Sequence, residues 1–259
     1  MALSPNSVAS LLIEPGIGAE PIASGTAFVV TADGRHYIIT NRHNVTGRDS
    51  RNRPVSDTSR MPDTLHIWHY DGDGRRISWR KIIEPLYLSP GHPAWFEHPV
   101  HGAKVDVVAL PVTWTEDVTF LPHDQQSYER TSVAVRVAAD VSIIGFPYGL
   151  TGGGALGIWS RGTIATEPDI DFDDLPLLLV DSRTRSGQSG SPVIFTTGGK
   201  SVPTKDGGTM MGSGDETILV GVYSGRVNAE SDLGFVWKAS VIDEIIAGGR
   251  RPSGESLLP

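Results

Sequence analysis

The stretch GTAFVVTADGRHYIITNRHNV, residues 25–45, decides how the rest of the chain is read. Two apolar, β-branched runs, residues 26–30 and 36–40, flank Asp33-Gly34, and an Asp-Gly pair supplies the positive φ angles of a two-residue hairpin turn. The spacing predicts an antiparallel hairpin. Directly after its second strand comes His43, where a loop can present an imidazole while a packed hairpin holds it still. TLHIWHYDGDGRRISWRKI repeats the device around residues 71–74.

Further strands are expected at residues 105–112, 132–138, 141–146, 156–165, 177–180, 192–196, 218–224 and 235–238, each bounded by turn residues. This punctuation predicts an all-β antiparallel sandwich or barrel rather than strands alternating with helices. One helix is expected, at the C-terminal end: KASVIDEIIAGGR sets Val241, Ile242, Ile245 and Ile246 on one side and stops at Gly248-Gly249. The polar residues 113–131 read as a link between two β halves, residues 196–217 as a long Gly-rich loop, and residues 250–259 as a tail.

A chain of 259 residues, 39% hydrophobic with 30 Gly and 18 Pro, can bury a large core and turn often. Its 22 basic against 30 acidic residues give a formal charge of −8, a field that opposes binding to a phosphate backbone, so no nucleic-acid partner is expected. Without cysteine there is neither disulfide nor thiolate metal ligand. MALSPNSVASLLIEPGIG lacks the cationic and long apolar regions of an export signal, and no stretch reaches membrane-spanning length. The expectation is a soluble, cytoplasmic chain without a membrane partner.

RTRSGQSGSPVIF, residues 183–195, brackets Ser189 between Gly187 and Gly190. A neutral serine attacks a carbonyl when a base lies within reach, a carboxylate orients that base, and donors face the developing oxyanion. His43 offers the base. AKVDVVALPV puts Asp106 at the start of an apolar strand, a place for a hydrogen-bonded carboxylate. The two glycines allow the sharp turn that points the N–H groups of Gly187 and Ser189 into one volume, an oxyanion hole. Each signal alone has a plainer reading: a strand-end Asp, a satisfied His, a Gly/Ser turn.

Together they are decisive by resemblance. TNRHNV, VDVVALPV and GQSGSP resemble the His, Asp and Ser segments of trypsin-like, chymotrypsin-fold serine peptidases, in the family's order His43, Asp106, Ser189. IGFPYGLTGGGALGIWSRGTIA, VDSRTRSGQSGSP, LVGVYSGRV and GFVWKASVIDEII resemble successive parts of the second barrel in bacterial HtrA-type and glutamyl-endopeptidase-like members. The resemblance implies two antiparallel six-stranded β-barrels with a C-terminal α-helix. Residues 1–115 would form the first barrel, carrying His43 and Asp106; 116–131 the link; 132–238 the second barrel, carrying Ser189; and 239–259 the helix and tail. It also implies acyl transfer on a protein or peptide substrate, with no metal or cofactor.

The chain departs from the family where secreted members carry an Asp before the nucleophile. Gln188 has no charge to pair with a freshly cut N-terminus, so activation by such cleavage is not expected. The pocket for the residue before the scissile bond is expected from Arg183, Thr184, Arg185 and Ser186 and from Tyr223, Ser224, Gly225 and Arg226, the last three also offering backbone bonds to an extended substrate. Arg183, Arg185 and Arg226 either favour an acidic residue, or point to solvent or pair with Asp171, Asp173 or Asp174. Thr184 and Tyr223 either donate hydrogen bonds or narrow the pocket.

HIWH (His66, His69) and HPVH (His98, His101) place histidines three apart, on opposite faces of a strand, with no third ligand, so no metal is expected. TGGGALG, without a P-loop lysine, reads as a turn beside the substrate, and DFDDLP as a solvated loop. Against an active endopeptidase stand a catalytically silent peptide-binding module of the same fold and a protease switched on by a regulatory protein partner.

Overall fold

The computed structural model of the chain describes residues 3–55, 60–72, 77–112, 118–123, 128–212, 216–228 and 230–253. A single helical turn, α1 (Pro5–Ala9), leads into β1 (Ser10–Ile17). There follow β2 (Gly25–Ala32), β3 (Arg35–Thr40), the one-turn helix α2 (Arg42–Thr46), β4 (Thr64–Tyr70), β5 (Trp79–Pro85) and β6 (Val108–Pro111). Their order across one antiparallel sheet is β5-β4-β1-β2-β3-β6, and a two-residue strand, Glu20–Pro21, folds back on β1.

β2 and β3 form the hairpin expected from residues 25–45, with φ of 49° at Asp33 and 73° at Gly34, as a type I′ turn requires. β4 and β5 form the second, from Thr64 opposite Pro85 to Tyr70 opposite Trp79; residues 73 and 74 of its expected tip lie outside the described residues. Six strands run along this path, but the sheet curls without closing, and β5 and β6 remain edges among the described residues. Strand β6 spans half of the expected 105–112, ending at Pro111, which has no N–H to continue the ladder.

The second half does close. β7 (Asp140–Gly145), β8 (Ile158–Ile164), β9 (Leu177–Asp181), β10 (Pro192–Thr196), β11 (Thr217–Arg226) and β12 (Leu233–Lys238) form a barrel in the order β7-β8-β9-β12-β11-β10. Val141, Ile143, Leu178, Val180, Val193, Val220 and Val236 fill its interior, following the strand period of two.

A second apolar core joins the halves. Phe28, Val30 and Ile39 meet Ile144, Leu179, Leu219 and Trp237 across the seam. The expected C-terminal helix, α3 (Ser240–Gly248), adds buried Val241, Ile242 and Ile245 and partly buried Ile246 to this core. At about 1.5–3 kcal/mol per buried aliphatic side chain, packing rather than propensity holds so short a helix.

Three local expectations change. Residues 132–138 form no strand. Val133 makes one bridge, to Thr204, while Val133 and Val135 pack onto the barrel core. The Gly-rich segment contains a short ladder, Ser201–Pro203 with Thr209–Met211, and its residues 213–215 lie outside the described set, as do residues 113–117 and 124–127 of the expected link and residues 254–259 of the tail. TGGGALG packs under β5 rather than beside the cleft described below: a Cβ on Gly154 would stand 1.9 Å from the Trp79 ring.

Candidate active site

Strand β3 delivers the chain into α2, whose second residue is His43 and whose end is capped by Gly47 at φ 66°. Asp106 lies two residues before β6, slightly ahead of the strand expected to carry it. The His43 Nδ1–H donates to Asp106 Oδ2 at 2.6 Å, and the His43 backbone N–H donates to Oδ1 at 2.9 Å. With Nδ1 so engaged, Nε2 is the nitrogen that presents a lone pair. Burial pulls the His43 pKa down, but the charge and hydrogen bond of Asp106 outweigh it, and the net shift is upward from 6.5.

Ser189 sits in a tight loop between β9 and β10. Gly187 and Gly190 have φ of 92° and 89°. A Cβ on Gly187 would stand 2.3 Å from Phe146 O, and one on Gly190 2.0 Å from Thr26 O, so both positions need glycine for conformation and for space. Ser186 O accepts a bond from Tyr148 N–H at 2.6 Å and Gly187 O one from Thr26 Oγ1 at 2.8 Å, which turns both carbonyls away from the loop's mouth. The N–H groups of Gly187 and Ser189 have no partner among the described residues. They are two donors left to an incoming oxygen.

Gln188 is buried and satisfied from within: its Oε1 accepts from Arg185 N–H and its Nε2 donates to Ser160 Oγ, each at 2.8 Å. An internal amide clamp therefore holds the loop. Ser189 Oγ donates at 3.5 Å to Ser224 O rather than to the imidazole.

His43, Asp106, Ser189, Gly187, Ser186 and Ser224 all line one open cleft of about 870 Å³ between the two halves. The other expected pocket residues stand elsewhere. Arg183 is exposed, its Nε 3.9 Å from Asp232 Oδ2, while Asp171 is taken by Lys238 at 2.6 Å; neither pairing matches those expected. Arg185 Nη1 donates to Thr184 O at 2.7 Å. Thr184 and Tyr223 are buried and bonded hydroxyl to hydroxyl. Gly225, at φ 132°, and Arg226 end β11, paired with Phe235 and Gly234 across a bulge. In DFDDLP, Asp173 and Asp174 form a turn with both φ positive, and Asp173 reaches the wall of the cleft.

Four contacts around the site escape sequence reasoning because they join distant segments. Ser224 Oγ donates to Asp106 Oδ2 at 2.5 Å, giving that carboxylate a third donor. Asn44 Nδ2 donates to Ser189 O at 3.1 Å and to Thr40 Oγ1 at 2.9 Å, tying α2 to the serine loop. Thr26 N–H also donates to Ser189 O, at 2.9 Å. Arg42, beside His43, buries its guanidinium against Glu97, Nε to Oε1 at 2.8 Å. The histidines of HPVH prove to lie in a turn, not a strand: His98 Nδ1 accepts from the N–H groups of Val100 and His101, and Nε2 faces Glu244 Oε2 at 3.0 Å.

The Arg42–Glu97 pair is buried on both sides, so removing one partner strands a charge. Glu97→Ala is expected to cost about 3–5 kcal/mol in urea unfolding, whereas replacing both partners by Met and Leu recovers most of that loss. Equal stability of the single and double variants would show that the stranded charge is not the cause.

Residues 25–202 match the family described as trypsin-like peptidase domain, a span that includes His43, Asp106 and Ser189 and more than half of the chain. No curated protein matches. Among solved structures, the chain is similar to the active form of the Rv3671c protease from M. tuberculosis, with 19% identity, 96% of this chain and 83% of that one covered, and a TM-score of 0.50. It is also similar to a serine endoprotease from Yersinia pestis, with 16% identity, coverage of 95% and 66%, and a TM-score of 0.51. At these identities the likeness establishes the fold, a chymotrypsin-like pair of β halves.

Proposed function

The chain belongs to the trypsin-like peptidase family, the serine endopeptidases that act on proteins and peptides, and on that premise we propose that it works through a Ser189-His43-Asp106 triad and an acyl-enzyme. Ser189 Oγ bonds to the scissile carbonyl carbon as its proton passes to His43 Nε2. The C–N bond then breaks, the leaving amine takes that proton, and water releases the acyl group by the same steps in reverse. Asp106 fixes the tautomer and stabilises the imidazolium. The N–H groups of Gly187 and Ser189 stabilise the oxyanion, at about 3 kcal/mol per donor. The extended substrate would lie along Ser224, Gly225 and Arg226.

The observation that supports this most is the convergence on one cleft of a His–Asp pair with an open Nε2, a serine, and two uncommitted N–H donors. The resting bond of Ser189 Oγ to Ser224 O, rather than to the imidazole, is the observation from which a second reading, a protease switched on by a regulatory partner, would start. Satisfaction of Gln188 from within supports independence from N-terminal cleavage.

A serine-directed fluorophosphonate tests these readings. The isolated chain is expected to label at Ser189 with a rate that rises with pH, because neutral His43 is the active base. The midpoint should lie above 6.5, since Asp106 raises this pKa, and Asp106→Asn should move it below 6.5, where burial alone would put it. A midpoint indifferent to Asp106→Asn would remove His43 from the role of base. Labelling that appears when a partner is added, and not before, would favour the regulated reading.

A further inference from the structure

Resting on Ser189 as the nucleophile, we infer that the Tyr223 ring fills the pocket for the residue before the scissile bond, so that the peptidase accepts Gly, Ala or Ser there and excludes larger side chains. The backbone of Tyr223 is fixed beside the nucleophile: Gly190 N–H donates to Tyr223 O at 2.8 Å, and Tyr223 N–H to Ser191 O at 2.9 Å. From there the side chain turns inward and is 1% exposed. Its hydroxyl bonds Thr184 Oγ1, itself fully buried. Its ring lies over Gly234 of β12, where a Cβ would stand 2.5 Å from Cε2. The phenol thus occupies the wedge between residues 183–186 and the β11–β12 pair.

Neither Thr184 nor Tyr223 reaches the wall of the cleft beside Ser189 and Ser224, in keeping with a ring packed behind that wall. Swinging the ring out would break a buried hydroxyl pair and strand Thr184 Oγ1, a penalty the substrate would have to offset. Arg185 is tied to Thr184 O, and on this reading an acidic substrate residue would need for its carboxylate the space the ring occupies. The size match is reciprocal. Gly234 leaves the hollow that the ring fills.

The test is a cleavage profile over a peptide library, with fluorophosphonate labelling measured in parallel. Wild type is expected to cleave after Gly, Ala or Ser with kcat/KM at least about 100-fold above that after Leu, Phe, Glu or Arg. Tyr223→Ala should gain on Leu and Phe and shrink that ratio by at least about 10-fold. Tyr223→Phe should keep the small-residue preference, because the ring and not the hydroxyl excludes. Wild type that labels at Ser189 yet cleaves freely after large or acidic residues would overturn this inference alone, whether or not the variants fold. Cleavage that survives Ser189→Ala would instead overturn the nucleophile assignment, and this inference with it.

Discussion

Ser189→Ala is expected to lower kcat by about a million-fold, His43→Ala by nearly as much, and the double variant by no more than the worse single one. A loss of that size is about 8 kcal/mol of transition-state stabilisation, which no change in substrate binding alone supplies. The three side chains would act as one unit, so removing any member leaves what the oxyanion donors and binding provide. The fold should be indifferent to Ser189→Ala. The serine is held through its carbonyl, by Thr26 N–H and Asn44 Nδ2, and its hydroxyl makes one long contact with Ser224 O. The check is kcat on a peptide with Ala before the scissile bond, alongside urea unfolding of the same preparations. A Ser189→Ala variant that keeps its activity sinks the acyl-enzyme route, and a His43→Ala variant that does so removes the assigned base.

What the sequence made legible follows from how local each signal is. Asp33-Gly34 carries its own turn chemistry, and the spacing of Val241, Ile242 and Ile245 carries its own face, so both elements stand where expected. Strand β1 gives no such signal. It lies in the middle of the sheet, between β4 and β2, nearly all of its residues are buried, and Pro15 and Gly16 interrupt it, so the period of two never shows. Residues 132–138 err in the opposite direction: valines alternate with other residues there, but no neighbouring strand completes the ladder.

The site divides the same way. The order His43, Asp106, Ser189 is written along the chain, whereas the Ser224 hydroxyl on Asp106 and the Asn44 amide on Ser189 join residues 118 and 145 positions apart. Tyr223 shows the limit most clearly. Its place beside the pocket could be read from its neighbours, but whether the ring lines or fills that pocket depends on Gly234, which reaches it only through the pairing of β11 with β12.

Acid should destabilise this protein before its carboxylates titrate. His69 and His123 are buried, and burial lowers the pKa of each from 6.5 to about 4. His69 packs edge-on to Phe120 and His123 edge-on to Phe28, and His123 Nε2 has no partner among the described residues. In the unfolded chain both rings protonate near pH 6.5; in the folded chain they resist until about pH 4. The unfolded state therefore binds more protons throughout that window, and stability falls as pH falls, by about 3 kcal/mol per histidine. His43 has the opposite sign. Its raised pKa stabilises the folded chain below 6.5 and loses that contribution as pH rises through the raised value, so it adds no slope in the acid window. Glu14 and Asp49, whose pKa values are lowered, stabilise the folded chain above their ordinary range near 4 and lose that contribution only as pH falls below it. Urea unfolding at pH 7, 6, 5 and 4 should show a decline of about 6 kcal/mol, and His69→Phe and His123→Phe should each flatten it by about half. The slope is the readout, because a larger ring can shift the offset through packing alone. For His123→Phe the offset at pH 7 should be near zero or favourable, since the variant removes an unpaired buried nitrogen. A stability flat from pH 6.5 to 4, or a slope untouched by both substitutions, would show that these histidines are not the acid-labile elements of the fold.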